Sequence, residues 1–299
     1  MRTPSTPRSS SPLSSWLGRA ALAGFVLVTI VPLWVALATA FTPNDALFSS
    51  AGRLFPAHPT WFNFQRVLGL ISDTDPRLAG RMLPRIDFFR SLINSTVFTV
   101  IAVLPQIFFS ALAAYAFARL PFAGARFVFL LFIAASMVPI AVLFIPNFIL
   151  IRNLGLLNTF VGMAAPFALM TPFAVFYLRQ VFLSTPMELE EAARIDGASP
   201  FTVFFRVVLP LHRGPLAMLT ILAAISAWNE FFWPYLTGRT EGVRVMAVAI
   251  NAYRSQQPMG GPDWTGLMAC VVLGILPMIV LVLFLGRRIV ESVQFTGGK

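Results

Sequence analysis

The chain has 299 residues, 57% of them hydrophobic and only 11% charged, with a mean hydropathy of +0.78. Soluble domains carry roughly 25% charged residues, so this composition excludes a soluble globular protein and leaves no room for a second large soluble domain beside several membrane spans. The formal charge of +10 comes from scattered arginines, Lys299 being the one lysine, and without a basic cluster it points to cytoplasmic flanks and anionic lipid rather than nucleic acid.

Residues 1–19 form a tail carrying Arg2, Arg8 and Arg19. Residues 20–41 are uncharged and apolar, long enough to cross a hydrocarbon core of about 20 residues. Ala38-Thr39-Ala40 resembles a signal-peptidase site, but the apolar run exceeds the roughly 7–15 residues of a signal core. It is therefore read as an uncleaved anchor. Residues 42–91 hold Pro43, Pro56, Pro59, Pro76 and Pro84, with Trp61, Phe62 and Phe64 among them. This is expected to be an external loop whose aromatic side chains rest at the membrane interface.

A core of five further spans is expected over residues 92–285, at 92–117, 127–150, 160–178, 216–236 and 267–285, followed by a tail at 286–299. The predicted fold class is an all-α membrane protein with six transmembrane helices. Pro32, Pro105, Pro139, Pro146, Pro166, Pro172, Pro234 and Pro277 fall inside these runs, so kinked and closely packed helices are expected. Six spans put both termini on one side. With that side cytoplasmic, 12 of the 22 basic residues lie on inner flanks, a weak bias in the expected direction.

The richest acidic cluster lies between the fourth and fifth spans, in residues 184–213. Thr185-Pro186-Met187-Glu188 has the form of a capping box with proline at the first helical position. Glu188, Glu190 and Glu191 then suit the positive end of a helix, which Gly197 is expected to stop. Ser199-Pro200 repeats the start signal, Phe201, Phe204, Phe205 and Val208 share the spacing of one apolar face, and Leu209-Pro210 is expected to close the second helix. The element predicted is a helix, glycine turn, helix.

No catalytic, metal-binding or cofactor-binding residues are found. A Walker A loop needs lysine, and the only lysine is the last residue; the chain itself is not expected to hydrolyse ATP. Cys270 is the single cysteine, which rules out an internal disulfide. His58 and His212 fall on opposite membrane faces in the expected topology. Glu230, beside Asn229, is the one acid inside a span. Such acids are functional by default, so Asn229 and Glu230 are candidate translocation-path residues, although Glu230 among Trp228, Phe231, Phe232 and Trp233 also suits structural hydrogen bonding.

Glu191-Ala192-Ala193, three residues, Gly197, nine residues, Val207, one residue and Leu209-Pro210 together resemble the signature EAA loop of ABC importer permeases. More of the chain is similar to the carbohydrate branch, the maltose-system MalG-like family. The matches are Asn94-Ser95-Thr96, residues 113–119, Phe122-Ala123-Gly124, Met137-Val138-Pro139, Ile145-Pro146, residues 154–159, Trp228-Asn229-Glu230-Phe231 and Trp233-Pro234. Gly286-Arg287-Arg288 and Ser292 depart from the family's usual tail, while Gly297-Gly298-Lys299 still looks like the short tail that reaches toward the ATPase.

The resemblance implies the permease subunit of a type I binding-protein-dependent importer, translocating a sugar or sugar derivative across a bacterial cytoplasmic membrane. Glycerol phosphodiester or another polar nutrient is the alternative cargo. It implies a coupling interface to an ATPase formed by Glu191, Ala192, Ala193, Arg194, Asp196, Gly197 and Phe201. Glu191 would meet a basic group, the alanines would allow close approach and Gly197 would set the angle between helices. Implied partners are a second permease, an ATPase dimer that holds the ATP and magnesium, an external solute-binding protein and membrane lipid. An ion-driven secondary transporter, the rival class, would place ionisable groups deep in several spans; only Glu230 is seen.

Overall fold

The computed structural model describes residues 12–49, 55–72, 75, 85–256 and 262–296. Arg2, Arg8, Pro76, Pro84 and the Gly297-Gly298-Lys299 tail lie outside the described residues, as do the side chains of Arg287, Arg288 and Ser292. Among the described residues all regular structure is helical. The chain divides into two compact units, Met1–Pro84 with Gln256–Leu273, and Arg85–Ser255 with Gly274–Lys299.

In the first unit, α1 (Pro12–Ala40) carries Pro32 without interruption. Its residues 18–35 are exposed, an apolar surface that hydrocarbon, not water, would cover. A short helix, α2 (Phe62–Val67), lies in the segment after it. Asn63, 2% exposed, donates to the carbonyls of Ala40 and Thr42, each at 2.9 Å, and so satisfies backbone acceptors left at the end of α1. Its Oδ1 accepts from the Thr265 hydroxyl at 3.2 Å. Arg66 pairs with Asp263 at 2.5 Å, and Asp263 accepts from the Gly266 amide at 3.0 Å.

The second unit is organised around α3 (Phe88–Arg119), in which Asp87 accepts from the Arg90 amide. The helix contains Pro105 and is 32 residues long, about 48 Å at 1.5 Å per residue. It is followed by α4 (Ala125–Ala135), α5 (Ile140–Asn153), α6 (Phe160–Ala164) and α7 (Pro172–Leu183). The expected continuous span at 127–150 is broken: α4 and α5 meet at 93°, with Pro139 extended at the break. Proline restricts the residue before it and offers no N–H to the preceding turn.

The expected span at 160–178 is likewise not one helix. Thr159 caps the five-residue α6 by accepting from the Gly162 amide. The chain is non-helical through Pro166, and α7 starts afresh at Pro172 with the Thr171 hydroxyl accepting from the Ala174 amide. Gly162 allows this tight turn, since a Cβ there would collide with the Leu156 carbonyl oxygen.

The remaining elements are α8 (Glu188–Ile195), α9 (Pro200–Val203), a π-helical turn (Phe204–Val208), α10 (Leu209–Leu211), α11 (Arg213–Trp228), α12 (Phe232–Thr237), α13 (Met246–Ser255) and α14 (Trp264–Thr296). The expected span at 216–236 is interrupted after Trp228, where Glu230 Oε1 accepts from the Trp233 amide at 3.1 Å and starts α12. The helix α13 has no counterpart among the predicted elements. Among the described residues three helices, α1, α3 and α14, are long and apolar enough to cross a membrane unbroken, and up to five spans result if α4 with α5 and Pro200–Leu211 with α11 each count as one. Backbone breaks thus divide half of the runs that composition presents as uniform.

The α3 helix packs on α7, α11, α6 and α13. One buried cluster joins Ala111, Ala114 and Tyr115 to Val175, Leu178 and Phe182 of α7, to Val203, Phe204 and Val208, and to Leu219 of α11. A second joins Phe98 and Ala102 to Met163, Ala164, Val243, Val245 and Val248.

Candidate functional site

The α8–α10 hairpin is built as its sequence suggests at its turn and its close, and differently at its start. Gly197 has φ +83°, in the left-handed region that glycine enters without steric cost, and α8 stops just before it. Ser199 accepts from the Thr202 amide at 3.2 Å, capping α9 ahead of Pro200. Thr185 is not the expected cap of α8, whose first residue follows Met187 without a side-chain cap. Its hydroxyl instead meets His212 Nε2 at 2.7 Å.

Leu209-Pro210 falls in the last turn of the second helix, which ends at Leu211 as expected to within a residue. The π turn carries the helix through α10 to His212, after which α11 departs at 80°. The π turn also shifts the register of the apolar face. Val203, Phe204 and Val208 are buried, whereas Phe201 is 70% exposed and Phe205 47% exposed.

The inner side of the hairpin is held by charge as well as by packing. Glu190 is 3% exposed. Its Oε1 lies 2.8 Å from Arg119 Nε, in a contact too oblique to count as a hydrogen bond and therefore Coulombic. Its Oε2 accepts from the Tyr115 hydroxyl at 3.2 Å and stands 3.9 Å from Arg194. Arg119 further donates from Nη2 to the carbonyls of Phe182 at 2.6 Å and Thr185 at 2.7 Å, capping the end of α7. One guanidinium thus ties α3, α7 and α8 together.

His212 sits where the hairpin meets α11. Its Nδ1 donates to the Val208 carbonyl at 2.8 Å and its ring packs edge-on against Phe182. Burial pushes its pKa below the usual imidazole value, with Arg119 adding to the effect and the Val208 carbonyl and Glu190 opposing it. The ring is thereby favoured neutral, with Nε2 accepting from Thr185.

The outer side of the hairpin presents the other predicted residues. Glu191, Ala192, Arg194, Asp196 and Gly197 are exposed, with Ile195 86% exposed beside them. Ala193 is the exception, half-buried against the α3–α7 core. Sequence reasoning missed Glu190, Arg119, Tyr115, Thr185 and His212. The four-residue spacing of Tyr115 and Arg119, which puts both on one helix face, was an available signal. Nothing local distinguishes Glu190 from its acidic neighbours.

A cavity of about 290 Å³ lies between α3, α7 and α11. Its polar lining is Gln106, Thr171, Ser226 and Glu230, set among apolar side chains that include Phe167 and Phe173. Asn229 is not part of that lining; its amide donates to the Ile225 carbonyl at 2.8 Å on an exposed surface. Glu230 places one oxygen on the Trp233 amide and its side chain also lines the cavity. Gln106 and Ser226 were missed because a single polar residue in an apolar run carries no periodic signal.

Residues 106–294 match the family described as binding-protein-dependent transport system inner membrane component. The chain belongs to this family. The match takes in the hairpin and all of the cavity lining except Ala102. The arabinooligosaccharides transport system permease protein AraQ of Halalkalibacterium halodurans is 30% identical over 98% of this chain and 99% of its own length. The sn-glycerol-3-phosphate transport system permease protein UgpE of Yersinia pestis is 31% identical over 89% of this chain and 91% of its own length. Among solved structures, a chain of a bacterial ABC transporter involved in the import of the acidic polysaccharide alginate superposes with a TM-score of 0.74 at 25% identity, covering 95% of this chain and 99% of that one. This permease is therefore an all-helical inner-membrane transport subunit of the importer type, and its expected fold and broad function stand.

Proposed function

We propose that this permease works in an ATP-driven importer, that a separate ATPase docks on the exposed side of the α8–α9 hairpin, and that the cargo is a sugar or sugar derivative. The observation that carries the reading is the asymmetry of the hairpin. Its inner side is locked to α3 and α7 by the Arg119–Glu190 pair and a buried apolar cluster. Its outer side leaves Glu191, Ala192, Ile195 and Phe201 unpartnered in solvent. A capped, rigid element with a free apolar and acidic face is suited to transmit force from a partner. Nucleotide and magnesium would then reside on the ATPase, a second permease would complete the path, and an external binding protein would deliver cargo. Both termini and the hairpin would lie in the cytoplasm.

The test is Glu191→Lys, which reverses a charge at the centre of the exposed face. Loss of co-purification with the ATPase and of ATP-driven uptake is expected. Normal co-purification together with undiminished uptake would remove the docking assignment. The likeness to a glycerol-phosphate permease favours a second cargo class, an organic phosphate; the charge of the cavity bears on that choice.

A further inference from the structure

We infer that the cavity between α3, α7 and α11 is a cargo subsite carried by this chain itself, one that takes a neutral polyhydroxylated solute and rejects anionic ones. The assignment rests on the importer reading above and extends it to the chemical class of the cargo.

The position comes first. Ala102 and Gln106 line the cavity and lie 14 and 18 residues from the start of α3 at Phe88, about 21 to 27 Å along a helix of about 48 Å. The cavity is therefore at mid-depth, where a polar side chain facing lipid is strongly disfavoured and is placed instead toward a bundle interior or a solvated path.

The chemistry of the lining comes second. Glu230 uses one oxygen on the Trp233 amide, and its other oxygen has no partner among the described residues. The Gln106 amide likewise has none. The Ser226 hydroxyl donates to the Leu222 carbonyl at 2.9 Å and keeps its acceptor lone pairs. The Thr171 hydroxyl accepts from the Ala174 amide at 3.4 Å and keeps its donor, so the free groups are a carboxylate oxygen, an amide with both donors and an acceptor, a hydroxyl acceptor and a hydroxyl donor. Phe167 and Phe173 supply apolar surface beside them. A few convergent polar groups in an apolar wall are the usual form of a small-molecule site. Hydroxyls that donate to Glu230 and accept from Gln106, on a ring whose C–H face lies against aromatic side chains, satisfy this set.

Charge decides the class. The one charged group among the lining residues is Glu230, with no arginine, lysine or histidine beside it. A phosphate or carboxylate entering this space would meet like charge, with no cation among the lining residues to offset it. A neutral glycan meets only hydrogen-bonding partners. The cavity therefore suits cargo of the neutral oligosaccharide kind, and disfavours glycerol phosphate and acidic polysaccharide fragments.

The experiment uses the full importer complex in lipid nanodiscs, with Ala223→Cys, or independently Ala227→Cys, as a thiol reporter on the cavity wall that leaves its polar groups in place. Cys270 is fully buried and gives the unlabelled baseline. Maleimide labelling is timed with a neutral panel of arabinotriose, maltotriose and raffinose, and with an anionic panel of sn-glycerol 3-phosphate and an alginate trisaccharide. At least one neutral probe should slow labelling about tenfold, as a ligand that fills the cavity shields its wall, while the anionic probes leave it unchanged. Adding Glu230→Gln should let anionic probes slow it as well. Equal protection by anionic probes with Glu230 in place overturns the inference, and so does absence of protection by every neutral probe. ATPase co-purification is scored on the same preparations without substitutions. Its absence would overturn the importer reading, whereas anion protection in a complex that retains its ATPase overturns the cargo class alone.

Discussion

At the scale of single residues, the hairpin depends on one buried carboxylate and the cation beside it. The Arg119 and Glu190 side chains are 5% and 4% exposed. Removing one partner of such a pair strands the other charge, a loss of about 3 to 5 kcal/mol, whereas replacing both by apolar groups is often close to neutral. Arg119→Leu is therefore expected to lower the thermal stability of the purified protein sharply, and Arg119→Leu with Glu190→Leu to recover a large part of it. The double-mutant cycle in detergent checks this, and additive losses would contradict it.

His212 gives a second residue-scale expectation. Its pKa is lowered in the fold, so the folded state disfavours the proton that the unfolded chain accepts. The stability it contributes is complete above the ordinary imidazole value of about 6.5 and is lost as pH falls from there toward the lowered folded value. Protection factors of the amides in α8–α10, from exchange rates corrected for their intrinsic base-catalysed pH dependence, should fall between pH 7.5 and pH 5.5, pH values chosen to bracket about 6.5. His212→Gln should flatten that dependence. Wild-type protection factors that stay constant across this range would show that His212 does not hold the hinge.

At the scale of elements, the hairpin's stiffness comes from its caps and its turn. Gly197 has open space where a Cβ would sit, so its φ of +83° is the only obstacle to substitution. Gly197→Ala is expected to cost about 1 to 2 kcal/mol of left-handed backbone strain, and Gly197→Asn less, measured as a graded fall in melting temperature. If both are neutral, the turn relaxes to another conformation and is not a rigid corner. The same scale explains the interrupted spans. After the break at Pro139, α5 restarts without a side-chain cap, whereas the Thr159 and Thr171 hydroxyls cap the starts of α6 and α7 on either side of the Pro166 segment.

At the scale of the whole molecule, the hairpin and the cavity share α3 and α11. Arg119 and Gln106 are 13 residues apart on one helix, about 20 Å, so a displacement of the hairpin acts on the element that walls the cavity. Glu191→Lys, on the exposed side, should weaken ATPase docking by about 2 to 5 kcal/mol if its partner pairs with it in a buried contact. It should leave cavity labelling in the resting complex unchanged, since Glu191 touches neither α3 nor the cavity. Altered labelling without loss of docking would show that the substitution acts through the fold.

Much of this was legible in the sequence. The apolar runs identified a multi-span helical protein, because a chain in hydrocarbon must satisfy its backbone within helices. Gly197 and Ser199-Pro200 marked the hairpin turn through local steric and capping rules, and the resemblance of residues 191–210 and their surroundings pointed to the importer permeases. Four things were decided only by tertiary structure. The runs at 127–150 and 160–178 became broken helices, since hydropathy measures oil and not backbone continuity. Glu190 turned inward while Glu191 faced out, since the choice depends on Arg119, 71 positions away in the chain. Thr185 went to His212 instead of capping α8, and Gln106, Ser226 and Glu230 converged on one cavity. Local chemistry determines which conformations a segment prefers; which side chains meet is set by packing between segments that the sequence keeps far apart.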